Sequence, residues 1–203
     1  MTTPRDLLLV AMGMEASRPV EQGDLSLALA GAEAIDLLDH RAIRLVDDRI
    51  VPSHPSATGD RLLDEAVSSL VRQEPYESVD DWLWRRGRGL SSVYRDALVA
   101  EGQLTGQRAR RMLFRSRKPV PADSSAHDQA ANRWSSHEPV LAALAAAVGI
   151  QDSRTADSPS MTEVDDAVAT ILAAVNGAVI ELGATRQQRA IEASAFDNIW
   201  RGE

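Results

Sequence analysis

At 203 residues, with a net charge of −8, 44% apolar, 26% charged and only 4% aromatic residues, the chain has the makeup of a soluble globular protein with room for a substantial core. It contains no cysteine, which excludes disulfides, thiolate metal sites and cysteine nucleophiles. Its charge is segregated: residues 82–118 hold ten of the 22 basic residues and two acids, a net +8, while the remainder carries −16.

In chain order, Pro4 ahead of Leu7, Leu8 and Leu9 predicts a short first helix with proline in its first turn. Residues 25–40 have helical apolar spacing. The period then changes: 42–46 and 49–51 flank Asp47-Asp48 and predict two short strands around a two-residue turn. A helix followed by a hairpin is the outline of a winged-helix element. After a loop over 52–59, Asp60 is placed to cap an amphipathic helix bearing Leu62, Leu63, Ala66, Val67, Leu70 and Val71. A further helix starts near Ser78, with Val79, Trp82, Leu83 and Trp84 as its inward candidates. Arg85-Arg86-Gly87-Arg88-Gly89 interrupts it, and 90–100 resumes a helix closed at Gly102.

Residues 105–114 predict a basic helix. Residues 115–122 contain Pro119 and Pro121, hence an extended loop or edge hairpin. The C-terminal third predicts helices over 126–134, 139–148, 162–182 and 185–200, with a linker at 152–160 and Thr162 and Asp165 as a capping pair. The expected fold is therefore mostly α: a single helical domain over 1–203 with short, winged-helix-like hairpins. The N-terminus carries no convincing signal peptide. The apolar stretches 140–150 and 167–182 fall short of the ~20 residues of a membrane span, so a cytoplasmic protein with only peripheral membrane contact is expected.

The segment from Ala57 to Ala66, A-T-G-D-R-L-L-D-E-A, closely resembles the T-G-D-x-L-L-D-E-A string of the Golgi phosphoprotein 3 family. These are Golgi sorting adaptors of animals and yeast, with shorter bacterial relatives. Leu7 to Val10 resembles the family's N-terminal L-L-L helix. Leu29 to Leu45 resembles its G-x-x-x-x-E-L-A-L-x-G-R-L-x-L segment, Leu98 to Leu104 its L-V-x-x-G-x-L turn, and Met112-Leu113-Phe114 the L-L-F before its protruding hairpin. The resemblance runs in order through most of residues 5–120.

It implies a mostly helical domain with a basic, flat membrane face, binding to phosphatidylinositol 4-phosphate and to short cytoplasmic protein tails, and self-association through the hairpin after Phe114. The family's pocket arginine before a glycine is Ala30 here, and its pocket tryptophan falls near Glu21. Of its two later arginines, one aligns with Arg88 and the other with Ser91. Most of that pocket is thus replaced, and what the resemblance still implies is a general attraction to anionic lipid.

The residues point the same way. Arg outnumbers Lys 21 to one, and guanidinium forks suit phosphate, although GC-rich coding, as in many bacteria, produces the same bias. Arg85, Arg86 and Arg88, interleaved with glycines, are the leading headgroup ligands, joined by Arg115, Arg117 and Lys118; the competing reading is a solvated, salt-bridged turn. Trp82 and Trp84 are either core residues or an interfacial anchor. The acid pairs Asp36/Asp39, Asp47/Asp48 and Asp60/Asp64 lack a third ligand, and His40, His54, His127 and His137 are scattered. No HExxH, GxxxxGK[ST] or GxGxxG occurs, so no enzyme, metal or cofactor is expected.

The first reading is a non-catalytic adaptor, peripheral to the inner face of the plasma membrane and bound to anionic phospholipid. The alternatives are nucleic-acid binding, with 105–111 as recognition helix and 115–118 as wing, and a basic groove for acidic peptides or protein tails. The acidic pI near 5.0 weighs against nucleic acid.

Overall fold

The computed structural model describes residues 2–13, 20–53, 57–104, 125–150 and 165–200. Among them lie α1 (Thr3–Gly13), α2 (Gln22–Asp39), β1 (Ile43–Val46), β2 (Arg49–Pro52), α3 (Arg61–Ser68) and α4 (Val79–Arg86). The order continues with α5 (Leu90–Ala100), α6 (Ser125–Ser135), α7 (Pro139–Ala147) and α8 (Asp166–Trp200). The expected mostly α fold with a short hairpin is what forms. The predicted basic helix over 105–114 and hairpin over 115–122 lie outside the described residues.

The organising element is α2. Every residue from Leu25 to Leu37 is buried, as expected of a helix that is apolar nearly all round and surrounded by others. It contacts α1, α3, α4, α5, α7 and α8. Trp82 and Leu83 of α4 are fully buried, and the Trp82 indole donates to Ala30 O at 3.0 Å, so Trp82 belongs to the core. The hairpin pairs β1 and β2 antiparallel, Val46 opposite Arg49, around Asp47, whose φ of 55° is left-handed. Main-chain bonds from Ile50 N to Glu77 O and from Val79 N to Asp48 O, each 2.9 Å, fasten the hairpin to the start of α4.

The sequence signals at the helix starts have visible causes. The Asp60 carboxylate accepts from the amides of Leu62 and Leu63 at 2.8 and 3.2 Å. Its other oxygen takes Arg5 Nε at 2.5 Å, and the same guanidinium holds Glu101, its second contact there being 2.9 Å. The Thr58 amide and hydroxyl both donate to Asp64 at 2.9 Å. The T-G-D-x-L-L-D-E segment is therefore a structural staple joining α1, α3 and the end of α5. Ser78 caps α4 by accepting from Asp81 N at 3.0 Å, and Glu138 caps α7 by accepting from Leu141 N at 2.8 Å.

Three expectations change. α3 ends at Ser68, leaving Val71 on the surface at 39% exposure. The two helices predicted over 162–182 and 185–200 are one continuous α8 that runs through Gly183. Asp165 does cap it, accepting from Ala167 N at 2.9 Å, whereas Thr162 lies outside the described residues. That continuity makes Asp166–Ser194 long and apolar enough to cross a bilayer. Yet Val168, Ile171, Leu172, Val175 and Ala178 are buried, and α8 packs on α2, α4 and α7, which makes its first half a core helix of the domain.

Candidate anion-binding cleft

The three arginines of the R-R-G-R-G run go to three different places: Arg85 and Arg86 are consecutive on α4 and point about 100° apart, and Arg88 lies in the turn between α4 and α5. Arg86 turns inward. It grips the fully buried Glu33 with two bonds of 2.7 and 2.8 Å, and the Tyr94 hydroxyl donates to the same carboxylate at 3.0 Å. Burial pushes the Glu33 carboxyl up while Arg86 opposes that, and burial next to Glu33 holds the Tyr94 hydroxyl protonated far above its ordinary range. Arg86 is thus neutralised inside the core, and the geometry separates it from Arg85 and Arg88 as a surface ligand. Arg85 is part-exposed, holds Glu77 at 2.6 and 2.7 Å and lies over the Trp82 ring at 5.3 Å. Arg88 is exposed and makes no ion pair with the described residues.

Arg88 stands at the rim of an open cleft of about 320 Å³. Its walls are Gln22, Gly23, Ser26 and Leu27 of α2, Trp84, the Gly87–Ser92 turn into α5, and Leu182 of α8. The N-termini of α2 and α5 converge here, so two positive dipole ends face the same space. No side chain caps α2 at Glu21 or α5 at Gly89, where φ is +71°. A serine pair forms the floor: Ser26 Oγ accepts from Ser91 N at 3.1 Å and lies 2.9 Å from Ser91 Oγ and 2.7 Å from Gln22 O. Trp84 is half-buried in the wall, whereas Trp82 is fully buried.

Behind the cleft residues Gly23 and Leu182 lies a residue that the sequence reading did not single out. Arg186 of α8 reaches Asp24 of α2 at 2.7 Å, with Leu182 one turn earlier packed on the same spot. A Cβ on Gly23 would stand 2.7 Å from the Arg186 guanidinium and 2.9 Å from Leu182 Cδ2. Glycine at position 23 is what allows α8 to lie this close. The signal available in the sequence was the i, i+4 spacing of Leu182 and Arg186 in a helix assumed to stop at Gly183.

A family model described as Golgi phosphoprotein 3 (GPP34) matches residues 4–193. The chain belongs to the Golgi phosphoprotein 3 family. No curated protein and no solved structure matches it. Golgi phosphoprotein 3 proteins are non-enzymatic adaptors associated with membrane-lipid and protein interactions.

Of the four positions aligned with the family's phosphoinositide pocket, Arg88 and Ser91 line the cleft, and Glu21 precedes α2 beside it. Ala30 does not: it is fully buried and supplies the carbonyl bound by Trp82. Arg115, Arg117 and Lys118, with Phe114 and its hairpin, lie outside the described residues. Among the described residues no group of three His, Asp or Glu converges as a metal site. A wider groove of about 680 Å³ runs over α3, but its Arg61 is paired with Glu65 and Asp64 adds a further acid, so it repels an anion.

Proposed function

We propose that this Golgi phosphoprotein 3 protein is a non-catalytic adaptor that docks on membranes by holding the phosphate of an anionic lipid headgroup in the α2/α5 cleft. The observation that carries this reading is the convergence of the α2 N-terminus, which no side chain caps, and the start of α5 with Arg88, which pairs with no acid among the described residues, in one open cleft. Arg85, part-exposed though paired with Glu77, belongs to the same run, Trp84 lines the cleft, and Arg115, Arg117 and Lys118 add basic charge further along the sequence. Each basic group near an anionic bilayer contributes about 1 kcal/mol, and the acidic remainder of the molecule is screened beyond about 8–10 Å. The charge of the basic segment therefore acts locally despite the overall −8.

Vesicle co-sedimentation tests it, with neutral lipid alone, with added phosphatidylglycerol or cardiolipin, and with added phosphatidylinositol 4-phosphate, duplex DNA being the competitor. Binding is expected on every anionic vesicle and on no neutral one. Arg85→Glu combined with Arg88→Glu is expected to lower it about a thousandfold, from two reversed charges at roughly 2 kcal/mol each. Undiminished sedimentation of that variant, or displacement by DNA in place of vesicle binding, would sink the reading.

A further inference from the structure

The geometry points to Arg186 as the second cationic ligand of the cleft, brought to the α2 wall by α8 and held by Asp24 while the cleft is empty. This rests on the proposed phosphate-binding role of the cleft and names the residue that completes it. The α5 wall offers only Arg88, since Arg86 is committed to Glu33 and position 91 is a buried serine. A phosphate bound by a single arginine at an open rim would be held from one side. Arg186 supplies the other side: its guanidinium lies 2.7 Å from where a Cβ on Gly23 would stand, and Gly23, Gln22 and Leu182 are all cleft walls.

Its present partnership is a holding one. The contact with Asp24 Oδ1 is 2.7 Å, and that buried oxygen meets no well-aligned donor among the described residues. The Arg186 side chain keeps 35% of its surface exposed, against 16% for Arg86, whose two aligned bonds lock it in the core. Arg186 can therefore turn from Asp24 towards an anion in the cleft at the loss of one poorly aligned pair. Glu21, exposed at the start of α2, also acts on Arg186 and competes for it. The charged groups facing this space are thus two arginines and two acids, Arg88 and Arg186 against Glu21 and Asp24. An entering phosphate takes the place of Asp24 as the counter-charge of Arg186.

The ligand chemistry is a phosphate ester, whose source is either a lipid headgroup or a small soluble molecule. The test uses the full chain and compares Arg186→Gln with Asp24→Asn, because both remove the same ion pair. Similar changes in thermal unfolding are expected for the two. Their binding is expected to move in opposite directions: affinity for phosphatidylglycerol vesicles falls about fivefold in R186Q and rises by a similar factor in D24N. R186K is expected to recover most of the loss on vesicles.

Glycerol phosphate as competitor separates the two sources. Displacement at millimolar concentration means a soluble phosphoester suffices, and failure to displace assigns the site to a bilayer-borne headgroup; in either arm the opposite movement of the two variants supports Arg186. If Arg88→Gln weakens binding but R186Q does not, or if R186Q and D24N shift binding the same way, Arg186 is only a structural clip and this inference falls while the cleft reading stands. If the unaltered protein binds no phosphate in any form, both fall together.

Discussion

The residue that most changes the picture drawn from charge is Arg86. Counted in sequence it is one of ten bases in a positive segment; in the fold it is half of a buried ion pair. Such a pair adds little compared with a well-packed apolar replacement, but breaking it leaves a buried charge alone. Glu33→Gln is therefore expected to lower stability by about 3–5 kcal/mol, read from urea unfolding. Arg86→Met should cost less, since Glu33 is already pushed upward by burial and can take up a proton next to Tyr94. The double change, Glu33→Leu with Arg86→Met, should recover most of the loss. Additive losses in the double variant would contradict the pairing. Arg86 was legible after all: Val79, Trp82, Leu83 and Arg86 fall at i, i+3, i+4 and i+7, on the apolar stripe of α4, and Glu33 sits in the apolar run from Leu27 to Ile35 of α2. The run of arginines drew attention to composition where periodicity held the answer.

At the scale of elements, the T-G-D segment is as much a fastening as a signature. Asp60 has two duties, capping α3 and receiving Arg5, and they can be separated. Asp60→Asn keeps the cap, since Asn caps as well as Asp, and loses the charge that faces Arg5; about 1.5–3 kcal/mol is expected. Asp60→Ala loses the cap as well, for roughly 1 kcal/mol more. Denaturant midpoints would read both, and vesicle binding below the unfolding transition should stay unchanged, because Asp60 faces α1 and not the cleft.

The elements themselves were largely visible in the sequence: the caps at Asp60 and Ser78, the turn at Asp47 and the period of α3 and α4 are local signals with local causes. The misread boundary at Gly183 has a tertiary cause. Glycine lowers helix propensity by about 1 kcal/mol, yet Leu182 on one side and Arg186 on the other both dock on α2 and carry the helix through. The cleft was legible only in part, for the same reason. Arg88 and Ser91 are neighbours in sequence, while Gly23 and Arg186 lie 163 positions apart and meet only because α2 is the hub on which α8 packs.

Across the whole molecule, the buried acids set how stability responds to pH. Asp36 in the hub helix accepts the Thr3 amide at 2.8 Å, capping α1 from a distance, and burial pushes its pKa up to about 6. Asp6 and Glu33 are raised in the same direction by burial, against the arginines that hold them. A carboxyl whose pKa is higher folded than unfolded binds protons more readily in the native state. Stability then rises as pH falls through the folded pKa, and the gain is complete below the unfolded value near 3.8.

Asp36 alone makes this on the order of 2–3 kcal/mol between pH 7 and pH 4. Asp64, half-buried in the first turn of α3, acts oppositely: Thr58 holds its carboxyl below the ordinary range, so its share is lost only at still lower pH. The expected profile of thermal unfolding is a rise in midpoint from pH 7 to about pH 4, followed by a fall at lower pH as Asp64 is protonated. Asp36→Asn keeps an oxygen to accept the Thr3 amide and removes the charge. It should be at least as stable as the unaltered protein at pH 7 and show a flatter rise towards pH 5. A midpoint that falls steadily from pH 7, or a D36N protein markedly less stable at neutral pH, would mean that the Asp36 charge supports the docking of α1 and that the burial argument has the wrong sign.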